Sequence, residues 1–156
     1  MPSDHVLVKL DFSNAFNSLH RRDMLLAIRD HFPELFHICY SAYSQPSLRF
    51  LANIIIESQE GPQQGDPLGP LLFCNTIQPL LDSLLPALTL GFLDDLTLGG
   101  AQQSVAADVN HTIEGGQQLG LHLNTAKCEV IASPDTIISD HFFRNFHLLQ
   151  WMTLPI

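Results

Sequence analysis

Three aspartates have the type and spacing to do chemistry: Asp11, at the end of the apolar run Val6–Leu10, and the adjacent pair Asp94-Asp95. Carboxylates at strand ends can be gathered at one edge of a sheet while the strands hold their backbones still. Gathered carboxylates repel one another, so the cluster is costly unless cations occupy it. Mg²⁺ takes one or two carboxylates per ion and completes its shell with substrate phosphates and water. Two ions roughly 4 Å apart can activate an attacking hydroxyl and stabilise a leaving oxyanion. That is the physical demand of adding a nucleotide to a 3′ end. Each piece alone also has a plain structural reading. An Asp after an apolar strand often caps the next helix, and Asp-Asp is common in turns.

The elements that must position these residues can be read from periodicity. Val6–Leu10 predicts a buried strand that stops at Asp11. From Ala15 to about Ile28 the pattern is helical, with Phe16, Leu19, Met24, Leu25 and Ile28 on one face. Pro33 breaks that helix and opens a second one, which runs to Tyr43 ahead of Gln45-Pro46. Leu48–Glu57 predicts one strand, Gly61–Pro67 a loop, and Leu68–Leu85 an apolar helix bent or interrupted at Pro79. Leu88–Leu93 and Leu96–Leu98 predict two strands joined by a hairpin turn at Asp94-Asp95, since aspartate tolerates positive φ.

Val105, Val109 and Ile113 mark a helix over Gln102–Leu119, weakened by Gly115-Gly116 and closed by Gly120. Leu121–Ala132 supplies a last strand pair or extended run. The tail from Ser133, with Phe142, Phe143, Phe146, Leu148, Leu149 and Trp151, shows no clear period. The order β-α-α-β-α-β-β-α-β implies an α+β fold, a small antiparallel sheet with helices on one face.

Composition bounds the answer. The 156 residues, 46% apolar and 8% aromatic, suit one domain with its own core. No apolar run approaches the ~18 residues that span a bilayer, and Met1–His5 lacks a signal peptide's basic start. A soluble, intracellular protein with no membrane partner is expected. Cys39, Cys74 and Cys128 are odd in number and far apart, and the eight histidines are scattered, which argues against disulfides and zinc. The net charge of −9, from seven basic and sixteen acidic residues, runs against a phosphate-gripping surface.

Four segments in order resemble the motifs of reverse transcriptases. Lys9-Leu10-Asp11-Phe12-Ser13-Asn14-Ala15-Phe16 is similar to motif A, an Asp followed five residues later by an aromatic. Glu60–Phe73 is similar to motif B, and its stretch Gln64-Gly65-Asp66-Pro67-Leu68-Gly69-Pro70 is the most specific signal in the chain. Gly91-Phe92-Leu93-Asp94-Asp95 resembles motif C, and Gly120–Glu129 resembles motif D. The wording is closest to the non-LTR retrotransposon branch, although Leu93 stands where alanine is more usual there. The resemblance implies a polymerase palm over 1–132 and a C-terminal extension over 133–156, the start of a truncated thumb or connection.

It also implies roles. Asp11 and Asp94 would be the main ligands of two Mg²⁺ ions, for which Mn²⁺ can substitute, with Asp95 and the Phe12 carbonyl completing the set. Backbone N–H groups of Ser13, Asn14 and Ala15 would receive the triphosphate where a helix begins. Phe16 would lie under the sugar and exclude a 2′-hydroxyl; it is equally a plain core anchor for the first helix. Gln64 and Gly65 would sit beside the nascent base pair, or simply form the turn before a helix. Lys127 would act on the pyrophosphate as general acid or electrostatic clamp, or is a surface lysine.

The partners implied are an RNA or DNA template with its primer and deoxynucleoside triphosphates. Basic fingers, a thumb and an endonuclease would come from other parts of a larger polyprotein. They would carry the strand-gripping surface that a −9 palm lacks. Two functions follow: an RNA-directed DNA polymerase domain, or a truncated, non-catalytic palm remnant that at most binds partners. A nucleotide cyclase ranks third, because it leaves motif B without an account.

Overall fold

The computed structural model describes residues 4–51, 53–138, 143 and 145–150. Strand β1 (His5–Asp11) is followed by helices α1 (Ala15–Ser18), α2 (Arg21–His31) and α3 (Pro33–Tyr43). Next come β2 (Ser47–Leu51), β3 (Ile54–Ser58) and α4 (Gly69–Asp82). The chain continues with β4 (Leu88–Phe92), β5 (Asp95–Ala101), α5 (Gln102–Gln118), β6 (Glu129–Ala132) and β7 (His147–Gln150). A five-stranded sheet has the order β4-β5-β1-β6-β7, and β2-β3 pair on their own.

The central strand is β1 because it alternates cleanly. Val6, Val8 and Leu10 are fully buried, while Leu7, Lys9 and Asp11 point to the other face. Its inner row meets Leu96 and Leu98 of β5, Val130 and Ala132 of β6, and Val105 and Val109 of α5 in one core cluster. A second cluster joins Leu19, Met24 and Ile28 to Cys39 and Tyr43 of α3 and to Leu72, Phe73 and Ile77 of α4. The helices thus cover one face of the sheet. On the other face Leu90 and Phe92 of the edge strand β4 stay exposed. This is the expected α+β, palm-like layout.

Several details differ from the sequence reading. The helix expected over Ala15–Ile28 is two helices, parted at Leu19, whose backbone is extended (ψ 128°). The single strand expected at Leu48–Glu57 is an antiparallel pair, β2 with β3. The helix through Pro79 is not interrupted there but runs on to Asp82. The tail contributes β7, which pairs with β6 in parallel, so the sheet is not wholly antiparallel. Phe142 and Trp151 lie outside the described residues.

Helix α5 ends as its sequence demands. Gly120 adopts φ 86°, its N–H donates to the Gln117 carbonyl (3.1 Å), and the Leu121 N–H donates to the Gly116 carbonyl (2.8 Å). That double closure is a Schellman cap. It turns the chain back to lay Leu121–Cys128 alongside Asp11.

Candidate active site

The sheet brings two of the three aspartates face to face. β1 and β5 are antiparallel in a register that pairs Asp11 with Asp95, directly after Leu10 with Leu96. Opposed residues on antiparallel strands project to the same side, so both carboxylates belong to one sheet edge. Asp94 is the next residue, on the turn. The turn itself lies one position earlier than expected: Phe92 pairs with Asp95, so the two loop residues are Leu93 and Asp94. Leu93, the first of the two loop residues, takes the positive φ (55°), a conformation where glycine is usual. A leucine held there is a local strain of the kind found beside functional sites. Its side chain lines a small apolar cleft with Phe12, Phe73 and Leu81.

Asp11 is fixed from behind. Its N–H donates to Cys128 Sγ (3.5 Å), and its carbonyl accepts the Asn124 N–H (2.8 Å). Burial pushes the Cys128 thiol up, so a neutral group stands behind the carboxylate. Lys9, two residues back on the same face of β1, places its amine 3.7 Å from Asp95 Oδ1. Both side chains are about half exposed, so this pair adds little stability. Lys9 had a readable signal: in a strand, two residues before Asp11 means the same face.

The residues on the turn after β1 are placed less uniformly. The Ser13 N–H donates to the His122 carbonyl (2.8 Å), so of the three amides expected to face a triphosphate, this one is already bound. Those of Asn14 and Ala15 open the turn, with Asn14 at φ 49°. The helix behind them, α1, is four residues long, too short for a substantial dipole. Phe16 stacks on Phe73 with ring centroids 4.7 Å apart and planes within 6°, and it remains partly exposed. The core-anchor role is therefore real.

Gln64 and Gly65 are exposed on the loop before α4. Gly65 has φ 90°, and a Cβ built on it would meet nothing within 4 Å, so the space above it is open. Lys127 is exposed, on the turn whose Asn124 binds the Asp11 backbone. The structure thus gathers Asp11, Asp94, Asp95 and the Lys127 turn at one end of the sheet.

The donor set fits hard divalent cations in kind, being carboxylate oxygens. Among the described residues no three acidic, His or Cys side chains already converge on one point. An opposed pair is nevertheless what Mg²⁺ takes from protein when phosphates complete its shell.

Sequence reasoning missed a polar network under the loop. Arg21, 5% exposed, donates from Nε to the Gly61 carbonyl (3.0 Å) and lies over the Tyr43 ring (5.3 Å to its centroid). The Tyr43 hydroxyl donates to Asp66 Oδ2 and accepts the Gln63 N–H (3.1 Å). Burial, then the bond to Asp66, raises the Tyr43 hydroxyl to about 12. A raised value means the protonated phenol is the form the fold favours. Its contribution to stability is complete below the ordinary tyrosine range near pH 10 and is lost as pH rises through about 12. In a titration followed at 295 nm, the Tyr43 phenolate is expected to emerge near pH 12, and Tyr43→Phe to remove that late step. Loss of a step near pH 10 instead would contradict this.

Comparisons with known proteins agree with the layout. Residues 1–141 match the family model described as reverse transcriptase (RNA-dependent DNA polymerase). No curated protein matches the chain. Similar solved structures include apo telomerase from Candida tropicalis truncated from its C-terminal domain: TM-score 0.64, 17% identity, over 87% of this chain and 32% of that one. Telomerase from Candida albicans in complex with a TWJ fragment of telomeric RNA gives 0.64 at 14% identity, over 89% of this chain and 29% of that one. At these identities the likeness is one of fold. The chain spans less than a third of the length of these two telomerases.

Proposed function

The chain belongs to the reverse transcriptase (RNA-dependent DNA polymerase) family, and on that premise we propose that it is the palm of an RNA-directed DNA polymerase. It transfers deoxynucleotides to a primer 3′ end on a template. The observation that carries this reading is the pairing of Asp11 with Asp95 across β1 and β5, with Asp94 on the adjoining turn. The palm comprises 1–132, and 133–156 is an extension from it. The wording of the four motifs supports an origin in a non-LTR retrotransposon.

Asp11, Asp94, Asp95 and the Phe12 carbonyl would hold two Mg²⁺ ions, for which Mn²⁺ can substitute, and a bound pair would supply acidification of the primer hydroxyl and neutralisation of phosphate charge. The chain's own groups do the rest. The Asn14 and Ala15 amides receive the triphosphate, with Ser13 holding the turn through His122. Phe16 lies under the sugar and leaves no room for a 2′-hydroxyl, while its stack on Phe73 keeps it in place. Gln64 and Gly65 lie beside the nascent base pair, where the open space over Gly65 admits close approach. Lys127 offers its ammonium to the departing pyrophosphate.

A second reading, a palm that folds without catalysing, is favoured by the net charge of −9, which opposes unaided binding of a primer–template. Extension of a DNA primer on an RNA template with Mg²⁺ separates the two. The first reading predicts addition of the complementary deoxynucleotide and discrimination against the ribonucleotide. No addition by this chain, followed by activity once basic fingers are supplied from a longer polyprotein, makes it one part of the enzyme. No addition in either form supports the remnant.

A further inference from the structure

Gln64 and Gly65 are exposed and bonded to little, yet both their neighbours are held by a single buried oxygen. The Tyr43 hydroxyl accepts the Gln63 N–H (3.1 Å) on one side of the pair and donates to Asp66 Oδ2 on the other. Asp66 then spends its second oxygen on the Leu68 N–H (2.8 Å), the residue before α4 begins, and its own N–H on the Gln63 carbonyl (3.1 Å). The Gln63 side chain is also tied, its Nε2 donating to Ser47 Oγ (2.6 Å).

Tyr43 is itself gripped. It is 3% exposed, and Arg21 covers its ring while bonding three separate segments. Those bonds run to the Gly61 carbonyl (3.0 Å), the Gln45 carbonyl (3.3 Å) and Ser58 Oγ (3.3 Å). The guanidinium's planar fork can satisfy all three from one position, which an ammonium cannot. Glu60 completes the frame by accepting the Arg21 backbone N–H at the start of α2 (2.8 Å).

Burying an arginine and a tyrosine hydroxyl against a half-buried carboxylate is not an economical way to join a loop to two helices. Apolar side chains of similar volume would serve stability as well or better. A satisfied polar network instead fixes one geometry, because each member has directional partners.

We propose that Arg21, Tyr43 and Asp66 are positioning residues that set the height of the Gln64-Gly65 segment and thereby control affinity for the incoming deoxynucleoside triphosphate. The proposal rests on the placing of Gln64 and Gly65 beside the nascent base pair. None of the three touches the reacting atoms. The chain places them on α2, on α3 and in the loop, so the network also makes the helical layer answer to what the loop holds.

Tyr43→Phe is the sharpest test, since it deletes one oxygen and keeps the ring under Arg21. Amide hydrogen exchange should speed up at residues 63–66 by tenfold or more while the α2 and α4 cores around Met24 and Leu72 keep their rates. Nucleotide affinity should fall about fivefold, read as KM under turnover with kcat nearly unchanged, or as Kd for a nonhydrolysable analogue. Arg21→Lys should reproduce both effects, as charge alone cannot replace the fork.

Unchanged exchange at 63–66, or an equal acceleration throughout the domain, would overturn the proposal. So would a loosened loop with unaltered nucleotide affinity. A wild-type chain that adds no nucleotide and binds no analogue even once basic fingers are supplied overturns the polymerase reading instead, and the exchange pattern still decides whether the network holds the loop.

Discussion

Asp11→Asn is expected to lower nucleotide incorporation by about a thousandfold, equivalent to roughly 4 kcal/mol of lost transition-state stabilisation. The reason is local. Asp11 stands opposite Asp95 at the sheet edge, and its backbone is bound by Cys128 and Asn124 whatever its side chain. Asparagine keeps those bonds and the shape, but it removes the charge that a divalent ion requires. Stability should therefore change little, or rise slightly as carboxylate repulsion is relieved. Single-turnover incorporation beside a urea titration checks both halves. A tenfold loss accompanied by unfolding would mean that Asp11 is structural rather than a ligand.

Gly61→Ala should be the most damaging single change to the fold, at about 3 kcal/mol or more. Gly61 sits at φ 68°, and a Cβ there would lie 2.0 Å from the Phe16 carbonyl oxygen and 2.7 Å from the Asn17 Cα. Both obstacles are backbone, so no rotamer change relieves them. The Gly61 N–H also donates to the Leu19 carbonyl (2.8 Å), and its own carbonyl receives Arg21 Nε. The loop that carries Gln64 is thus seated directly on the break between α1 and α2. Gly65→Ala is the control: its φ of 90° imposes strain, but open space surrounds the new methyl. That substitution should cost only about 1–2 kcal/mol. Urea midpoints for the two variants give the comparison, and equal losses would show that φ alone, not contact with α1, matters at Gly61.

What the sequence made legible was local. β1 could be read from Val6, Val8 and Leu10, α5 from Val105 and Val109 with Gly120 behind them, and α3 from Pro33. The aspartates could be assigned to one edge because each ends or begins an apolar run. Misreadings arose where a tertiary contact overrode a local preference. The apolar period runs unbroken through Leu19, and neither Gly nor Pro marks the break before Arg21. Tertiary contacts give that break a cause: the Gly61 N–H docks on the Leu19 carbonyl, and the His20 N–H donates to the Leu119 carbonyl (2.9 Å). Local propensity put the hairpin turn on Asp94-Asp95, since aspartate accepts positive φ more readily than leucine. Pairing of Asp95 with both Phe92 and Asp11 moved it onto Leu93.

Strand β7 and the buried network were beyond reach for a related reason. The parallel register of His147 with Glu129 joins segments eighteen residues apart, with no turn to fix it. Arg21, Tyr43 and Asp66 are spaced at 22 and 23 residues, and an arginine on an amphipathic helix reads as solvent-facing. The exposed ends of the site were legible; what holds them was not.

The most direct test of the carboxylate edge is the count of Mn²⁺ ions bound. It is measured by calorimetric titration of the chain with a primed RNA template and a nonhydrolysable deoxynucleoside triphosphate. Two ions per wild-type chain are predicted, and fewer when Asp11 and Asp94 are both changed to asparagine, with nucleotide-bound metal subtracted in a protein-free control. The same count and affinity in wild type and double variant would contradict the account, because Asp11 and Asp94 would then hold nothing.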